Sequence, residues 1–426
     1  MRPNCYSSVF ITMLALGCVT PLHAQSLSIR TLAGTATPGA TNGFGSNARF
    51  NHPNGIAADS AGNIYIADTE NGTIRKITTS GFVSTFAGLA GNYGSADGGA
   101  NARFFGPQGI AADSAGQLFV ADTANSTIRK VTPAGIVSTF AGSAGIPNSL
   151  DGAGGSARFF HPEGLTVDSG GNVYVSDTWN HTIRKITSGG TVSTLAGLAG
   201  YFGAANGTNS KARFNRPSGI TIDGAGNLYV ADTLNHTIRK VTPSGDVSTL
   251  AGLPGAWGSA DGSNTTARFY LPQGIALSPA GDLYVGDSGN QTLRKVSLLG
   301  TNWAVTTVAG LTGLAGSTSG TGTGARFYFP SGIALDSAGY LYVADMANNE
   351  ARTTRVVAPT LQYSRAGNNL VLSWPTSAEG FNLEQSANLG PSAAWSLAMT
   401  GVFNIGDNFV RTNTLTGIAF YRLHLP

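Results

Sequence analysis

Two histidines and a glutamate are the residues of this chain best suited to hold a catalytic metal ion. His52 and His161 each precede a proline, and Glu163 follows the proline next to His161. Two imidazoles and one carboxylate can hold a divalent metal with open coordination positions. A metal held in this way could polarise a carbonyl group or activate a water molecule. The alternative is a polar rim without a metal, because no third histidine occupies an equivalent position.

Aromatic and polar side chains in glycine-rich segments form a second candidate site. Exposed rings on such segments suit stacking on sugar rings or contact with an extended peptide. The alternative is that these rings fold back over neighbouring elements. This set comprises Glu70, Tyr93, Trp179, His181, Tyr201, Phe202, Leu234, His236 and Trp257.

Other familiar motifs do not indicate catalysis. No Ser-His-Asp arrangement or activated nucleophile is visible, so we assign no catalytic residues. Glycosylation sequons recur at one fixed place in a repeat, which favours a role in a turn. They begin at Asn71, Asn125, Asn180, Asn235 and Asn290. The Asp-Gly pairs lack a following Gly-Lys-Ser/Thr and predict turns, not phosphate-binding loops.

A repeat of about 55 residues positions all of these side chains. Ala-Arg-Phe occurs six times, and each copy leads into Pro-x-Gly-(Ile/Leu). Its phenylalanines are Phe50, Phe104, Phe159, Phe214, Phe269 and Phe327. Each unit contains four short β-type runs separated by Gly, Pro, Asn and Asp. Four strands per unit, repeated six times, predict an all-β fold, a six-bladed β-propeller.

The two ends of the repeat region complete each other. The sixth unit lacks its last strand, and the missing run stands near the N-terminus as residues 29–34. Unpaired sheet edges invite aggregation, so we expect this N-terminal strand to close the ring. The propeller then occupies residues 25–356. Residues 357–426 contain alternating β-type runs and predict a small β-sandwich.

The repeat resembles the NHL repeat, most clearly from Phe214 to Lys240, which holds Gly-Asn-Leu-Tyr-Val-Ala-Asp-Thr-Leu-Asn-His-Thr-Ile-Arg-Lys. The resemblance covers residues 27–356 and implies a six-bladed propeller with, in most relatives, a binding role. Some relatives are enzymes, including the lyase that completes peptide amidation with a histidine-bound metal in its channel. Others bind RNA. The C-terminal segment is similar to the fibronectin-type-III-like modules of exported bacterial proteins, which implies spacing or surface attachment.

Residues present in every unit are expected to hold the framework, because a ligand without sixfold symmetry cannot use six equivalent copies. The strand-ending aspartates can bind turn N–H groups and pair with the arginine that follows. They are Asp68, Asp122, Asp177, Asp232, Asp287 and Asp345. A metal or catalytic role for them is the alternative. The repeated positions also hold 17 of the 25 Lys and Arg residues. These charges are spread around the ring, so we expect no nucleic-acid partner.

The variable parts of the repeat predict where a ligand binds. The turn between the second and third strands shares a face with the long connection between units. Loops on a rigid scaffold usually carry binding, so this variable-loop face should hold the aromatic set named above. The second candidate is the mouth of the central channel, lined by the residues that flank each proline. This channel-mouth set comprises His52, Asn54, Gln108, His161, Glu163, Arg216, Ser218, Gln273 and Ser331.

Composition and the N-terminus indicate an exported protein. The chain has 59 Gly, 41% hydrophobic and 11% charged residues, and this hydrophobic fraction excludes a disordered chain. Its net charge of +3 gives no argument for nucleic acid or an anionic membrane as partner. Arg2 precedes an apolar run too short to span a bilayer, which predicts a signal peptide over residues 1–24. It contains both cysteines, Cys5 and Cys18. The mature chain would then lack disulfides, with lipid anchoring at Cys18 as an alternative.

The sequence therefore predicts a monomeric binding or scaffold protein, not an enzyme, that is secreted, periplasmic or on the cell surface. It would have no membrane span and no cofactor. Its ligand would be a glycan, a peptide or a protein that meets the variable-loop face. The alternative function is a divalent-metal-dependent lyase or lactonase at the channel mouth.

Overall fold

The computed structural model describes residues 26–354 and parts of the C-terminal segment. Those parts are residues 362–366, 369–375, 382–386, 394, 396–400, 402–405, 408–414 and 420–424. The expected signal peptide, with Cys5 and Cys18, lies outside the described residues. Within the described residues, no helix has the length and apolar character needed to cross a membrane.

Residues 26–354 form six antiparallel sheets, numbered 1 to 6 in chain order, each with four main strands. The first strands are Pro53–Ala58, Pro107–Ala112, Pro162–Val167, Pro217–Ile222, Pro272–Leu277 and Pro330–Leu335. The second strands are Ile64–Asp68, Leu118–Asp122, Val173–Asp177, Leu228–Asp232, Leu283–Asp287 and Leu341–Asp345. The third strands are Thr73–Ile77, Thr127–Val131, Thr182–Ile186, Thr237–Val241, Thr292–Leu299 and Glu350–Thr353. The fourth strands are Phe82–Gly88, Val137–Gly142, Thr191–Gly197, Asp246–Ala251, Asn302–Gly310 and, in sheet 6, Ser28–Gly34. Sheets of this kind, repeated in series, are typical of a β-propeller.

Short elements complete the repeat. A three-residue 3-10 turn joins the second and third strands: Thr69–Asn71, Thr123–Asn125, Thr178–Asn180, Thr233–Asn235, Ser288–Asn290 and Met346–Asn348. Every sheet except sheet 2 gains a two-residue fifth strand at its outer edge: Gly43–Phe44, Gly152–Ala153, Gly207–Thr208, Gly262–Ser263 and Gly320–Thr321. A second 3-10 turn follows each of these: Gly45–Asn47, Gly154–Ser156, Asn209–Lys211, Asn264–Thr266 and Gly322–Gly324. The fifth strands were not predicted, because two residues carry no hydrophobic period.

The N-terminal strand lies in the last sheet. Ser28–Gly34 pairs antiparallel with Glu350–Thr353, so that Thr31 lies opposite Arg352 and Gly34 opposite Glu350. The fourth strand of sheet 6 thus comes from the other end of the repeat region, as the sequence predicts.

Glycines hold the first strands close together around the axis. A β-carbon on Gly219 would lie 2.0 Å from the carbonyl oxygen of Gln273 in the next sheet. The same relation joins every sheet to its successor, and Gly332 of sheet 6 stands in this way against Asn54 of sheet 1. Only glycine permits this approach, which explains the glycine of each Pro-x-Gly motif.

One buried cluster recurs in every sheet and uses the repeated polar residues. In sheet 4, Asp232 accepts hydrogen bonds from Asn235, from Arg239 and from the backbone N–H of Asn215, all at 2.7 Å. The guanidinium of Arg239 lies 5.3 Å from the ring centroid of Phe214. All six of the paired aspartates and arginines are fully buried. The repeated aspartates therefore serve the framework, and the asparagine donates to the aspartate instead of capping a turn N–H.

The hydrophobic core lies between neighbouring sheets. The second strands of sheets 1 to 4 and of sheet 6 are buried at every residue, because a sheet packs on either side of them, and in sheet 5 only Tyr284 is partly buried. Phe104, for example, is fully buried between Ile74 of sheet 1 and Val120 of sheet 2. Six such interfaces give the loops above them a rigid base.

The C-terminal segment contains two further sheets. One has the strand order Gln362–Ala366, Asn369–Pro375, Asn408–Thr414 and Val402–Ile405. The other has the order Ser396–Leu397, Asn382–Ser386 and Phe420–His424. Leu372, Leu383 and Ala398 are buried together and join the two sheets.

Candidate ligand-binding site

The residue before each proline has the same unusual backbone in all six sheets. These residues are His52, Gly106, His161, Arg216, Leu271 and Phe329, with φ between 48° and 57°. The position lies next to the 3-10 turn of its own sheet, since a β-carbon on Gly106 would be 3.6 Å from that of Ala124 and the His161 ring is 4.8 Å from that of Trp179. Five residue types, glycine among them, thus occupy these six positions on one common main-chain path.

Side chains from the preceding sheet hold this conformation in place. The backbone N–H of Arg216 donates to Nδ1 of His181 at 3.1 Å, and that of Leu271 donates to Nδ1 of His236 at 3.3 Å. The N–H of His52 donates to Asn349 in the same way. Burial lowers the pKa of both His181 and His236, which keeps these rings neutral and able to accept. Both histidines, predicted as ligand contacts, thus bind the neighbouring sheet.

A pocket of about 260 Å³ opens on the variable-loop face at sheet 2. It exists because sheet 2 has Gly106 before its proline and Ala124 in its 3-10 turn. Sheet 3 fills the equivalent places with His161 and Trp179, and sheet 4 fills them with Arg216 and Leu234. Sheet 2 thus departs from the repeat pattern by carrying the two smallest residues at two positions that are neighbours in space.

The walls of the pocket combine aromatic rings, a carboxylate and polar groups. They are formed by Glu70, Tyr93, Phe105, Gln108, Thr123 and His161. The rings of Tyr93 and Phe105 lie 5.5 Å apart and are inclined by 33°. The hydroxyl of Tyr93 donates to the backbone oxygen of Glu70 at 2.7 Å, which fixes the Tyr93 ring over the turn. Tyr93, Phe105 and Glu70 remain exposed and available to a ligand.

Trp179, beside the pocket, is already stacked. Its ring lies 4.8 Å from that of His161, and the guanidinium of Arg216 lies 4.4 Å from its centroid. Phe160 packs at 5.2 Å. Burial and the charge of Arg216 lower the pKa of His161, so this ring is neutral. Trp179 therefore serves as a support for His161, in line with the alternative that predicted rings fold back on the protein.

Three of the predicted rings remain largely open to solvent. Tyr201, Phe202 and Trp257 are 65–69% exposed. Phe202 lies 5.9 Å from His181, and Trp257 stacks on Tyr270 at 5.0 Å. Leu234 is 37% exposed at its turn. These rings extend the exposed aromatic surface away from the pocket over sheets 3 to 5.

The channel-mouth set divides between two places. His161 and Gln108 line the pocket, Arg216 covers Trp179, and His52 is exposed on the same face. The remaining residues surround a cavity of about 70 Å³ inside the channel: Asn54, Glu163, Ser218, Gln273 and Ser331. A ring of isoleucine and leucine side chains from the same strands lines the cavity too. The mouth is thus not one site, because in every sheet except sheet 2 the residue after the proline lines the channel cavity, whereas Gln108 of sheet 2 lines the pocket.

Glu163 is the acidic group of the channel cavity. Glu163 is partly buried beside the cavity, and burial raises the pKa of its carboxyl to about 7 against the opposing effects of the Ser218 hydroxyl and the Arg216 charge. Near neutral pH this group can gain or lose a proton.

The expected metal ligands do not come together. Among the described residues, no three His, Cys, Asp or Glu side chains lie close enough to hold a metal ion. His52 belongs to sheet 1 and bonds to Asn51, His161 stacks on Trp179, and Glu163 points into the channel. His52, His161 and Glu163 thus lie in three different surroundings and form no common cluster.

The structure adds residues that sequence reasoning missed. Phe105, Phe160 and Tyr270 all follow an Ala-Arg-Phe motif directly, and each contacts a ring of the variable-loop face. This position varies between units, with Asn51 in sheet 1 and Asn215 in sheet 4. This variation between units was the feature of the sequence that could have identified the position as part of the face. No pattern in the sequence marked Gly106 and Ala124, because they contribute the open volume of the pocket and no functional group.

Comparison with known proteins identifies the repeat. The NHL repeat matches residues 50–77, 104–131, 159–186, 214–241 and 269–296, which are the cores of sheets 1 to 5. Five of the six repeat units thus match the NHL repeat, as the sequence predicts.

NHL repeat-containing protein 2 is a relative of known sequence. The Bos taurus protein is 31% identical over 301 residues, and the Homo sapiens protein is 30% identical over 301 residues. Both alignments cover 62% of this chain and 41% of the relative. The chain therefore spans about two fifths of the length of these relatives.

Solved structures show the same fold at low sequence identity. A protein of unknown function from Bacteroides thetaiotaomicron has a TM-score of 0.61 and 20% identity. An auxiliary nutrient binding protein from the same organism has a TM-score of 0.58 and 16% identity. Each match covers 77% of this chain and 76% of the other.

Proposed function

We propose that this chain is an exported, non-enzymatic binding protein that recognises a glycan or an extended peptide through its variable-loop face. In this proposal, residues 25–356 are one closed six-bladed propeller, and residues 357–426 form a small β-sandwich that acts as a spacer or attachment module. The mature chain begins after residue 24 and acts as a monomer without a cofactor.

The pocket at sheet 2 carries the proposal. It is concave, it combines two aromatic rings with a few polar groups, and it lies where the repeat loses its symmetry. Sites for small ligands are usually concave and combine aromatic side chains with polar groups, and this pocket has polar and apolar lining in about equal measure. The exposed rings of Tyr201, Phe202 and Trp257 supply further contacts for a longer ligand. The solved relatives support the fold alone, so the proposal rests on this geometry.

A glycan and peptide array with residues 25–426 tests the proposal. Gly106→Leu should fill the pocket without disturbing the fold, since Leu271 holds the same backbone position in sheet 5 with φ of 51°. We expect this variant to lose at least tenfold in affinity for the array ligand. Ala347→Leu is the matched control, because it enlarges the sheet 6 equivalent of Ala124 outside the pocket.

Two results would contradict the proposal. One is array binding that Gly106→Leu leaves unchanged, because the pocket then takes no part. The other is a purified protein that binds no glycan or peptide. Processing is tested separately, since mass spectrometry of the exported protein should give a chain that begins at Gln25.

A further inference from the structure

Glu70 is the acidic member of its set of equivalent turn positions. The set is Glu70, Ala124, Trp179, Leu234, Gly289 and Ala347. From the position of Glu70 beside the two rings, we propose that the pocket binds a sugar with a free amino group. The ammonium group meets the carboxylate of Glu70, and one face of the sugar ring lies against Tyr93 and Phe105. This inference rests on the proposed function and specifies its ligand.

The charge of the pocket favours a cation. Glu70 is exposed at the pocket rim, and neither Lys nor Arg lines the pocket. His161 is neutral, because burial and Arg216 lower its pKa. A ligand ammonium group there gains both a charge-assisted hydrogen bond and the attraction of the aromatic faces.

The shape and polarity of the pocket favour a sugar over a lysine side chain. Its volume of about 260 Å³ lies just below the range of roughly 300–1,000 Å³ for drug-sized ligands, which suits a single six-membered ring. Gln108 and His161 also line the pocket and offer further hydrogen-bonding groups. A sugar has hydroxyls for these groups, whereas the stem of a lysine would leave them without partners.

The experiment compares amino and N-acetylated sugars on the same protein. Isothermal titration calorimetry would measure the binding of glucosamine oligomers and N-acetylglucosamine oligomers of equal length. The titrations would be done at low and high salt, at a pH below the pKa of the amine. We expect the amino oligomer to bind about tenfold more tightly, with a preference that weakens as salt rises. Glu70→Gln should bring the two affinities within about twofold of each other. Asp246→Asn changes the net charge equally on a distant strand and should keep the preference.

The outcomes separate this inference from the proposed function. Equal binding of both oligomers by the native protein, with loss in Gly106→Leu, would overturn the amino-sugar inference and leave the binding function standing. Glu70-dependent binding of a lysine-rich peptide, without sugar binding, would replace the sugar by a peptide. Absence of binding by either oligomer at millimolar concentration would also overturn the inference.

Discussion

Replacement of Glu163 by glutamine should change how the stability of the protein depends on pH. Burial raises the pKa of this carboxyl from an ordinary 4.5 to about 7 in the folded chain. The folded state therefore binds this proton more tightly than the unfolded state. The resulting stabilisation is complete below pH 4.5 and is lost as the pH rises through 7.

The size of the effect follows from the rise in pKa. A rise of about 2.5 corresponds to about 3.4 kcal/mol, since each unit of pKa is worth 1.36 kcal/mol. The channel cavity of about 70 Å³ has room for a few water molecules, which lower the penalty on the charged form. We therefore expect native Glu163 to lose about 2–3 kcal/mol relative to Glu163→Gln between pH 4 and pH 8.

The assay is urea unfolding of both proteins at half-unit steps of pH. Other titrating groups are common to both proteins, so the difference between the two stability curves isolates Glu163. Ser218→Ala provides a directional control, because its hydroxyl lowers the pKa of Glu163 and its loss should move the midpoint upward. Stability curves that stay parallel from pH 4 to pH 8 would refute the reasoning.

Three further substitutions test the framework. Arg239→Met leaves Asp232 buried without its cation and should cost about 3–5 kcal/mol in chemical unfolding, most of which the added Asp232→Asn should restore. Phe214→Ala empties the fully buried site beside that arginine and should cost about 3–5 kcal/mol by the same assay. Gly219→Ala places a β-carbon 2.0 Å from a neighbouring carbonyl oxygen and should prevent soluble folding, whereas Gly224→Ala, with open space around it, should change the melting temperature little. A melting temperature of Gly219→Ala equal to that of the native protein would contradict this description. So would a loss of less than about 1 kcal/mol in unfolding free energy for Arg239→Met or Phe214→Ala.

The repeated framework could be predicted from the sequence because sixfold recurrence makes each position visible many times. The Asp–Arg pairs, the buried Phe of Ala-Arg-Phe and the N-terminal strand of sheet 6 all follow from this recurrence. The predicted face also holds Glu70 and Tyr93, which the structure places together in one pocket.

The pocket itself could not be predicted, because it depends on contacts between sheets. Sequence reasoning grouped His161 with Glu163, yet the backbone turn at the intervening proline sends the two side chains to different cavities. The sequence also left open whether Trp179 is a free ring or folds back on the protein, and it did not show that Arg216 of the next sheet covers this ring. Spacing along one chain segment does not show which side chain of a neighbouring unit arrives at a given ring.

The shared left-handed residue before each proline has a consequence for how this protein can change its specificity. The same main-chain path accepts glycine, histidine, arginine, leucine and phenylalanine. Replacement of one of these residues by another changes the shape and chemical character of the surface around the axis, while the β-sheets keep their geometry. New ligands can therefore be acquired through single codon changes at six sites, with no insertion, deletion or rebuilding of a loop.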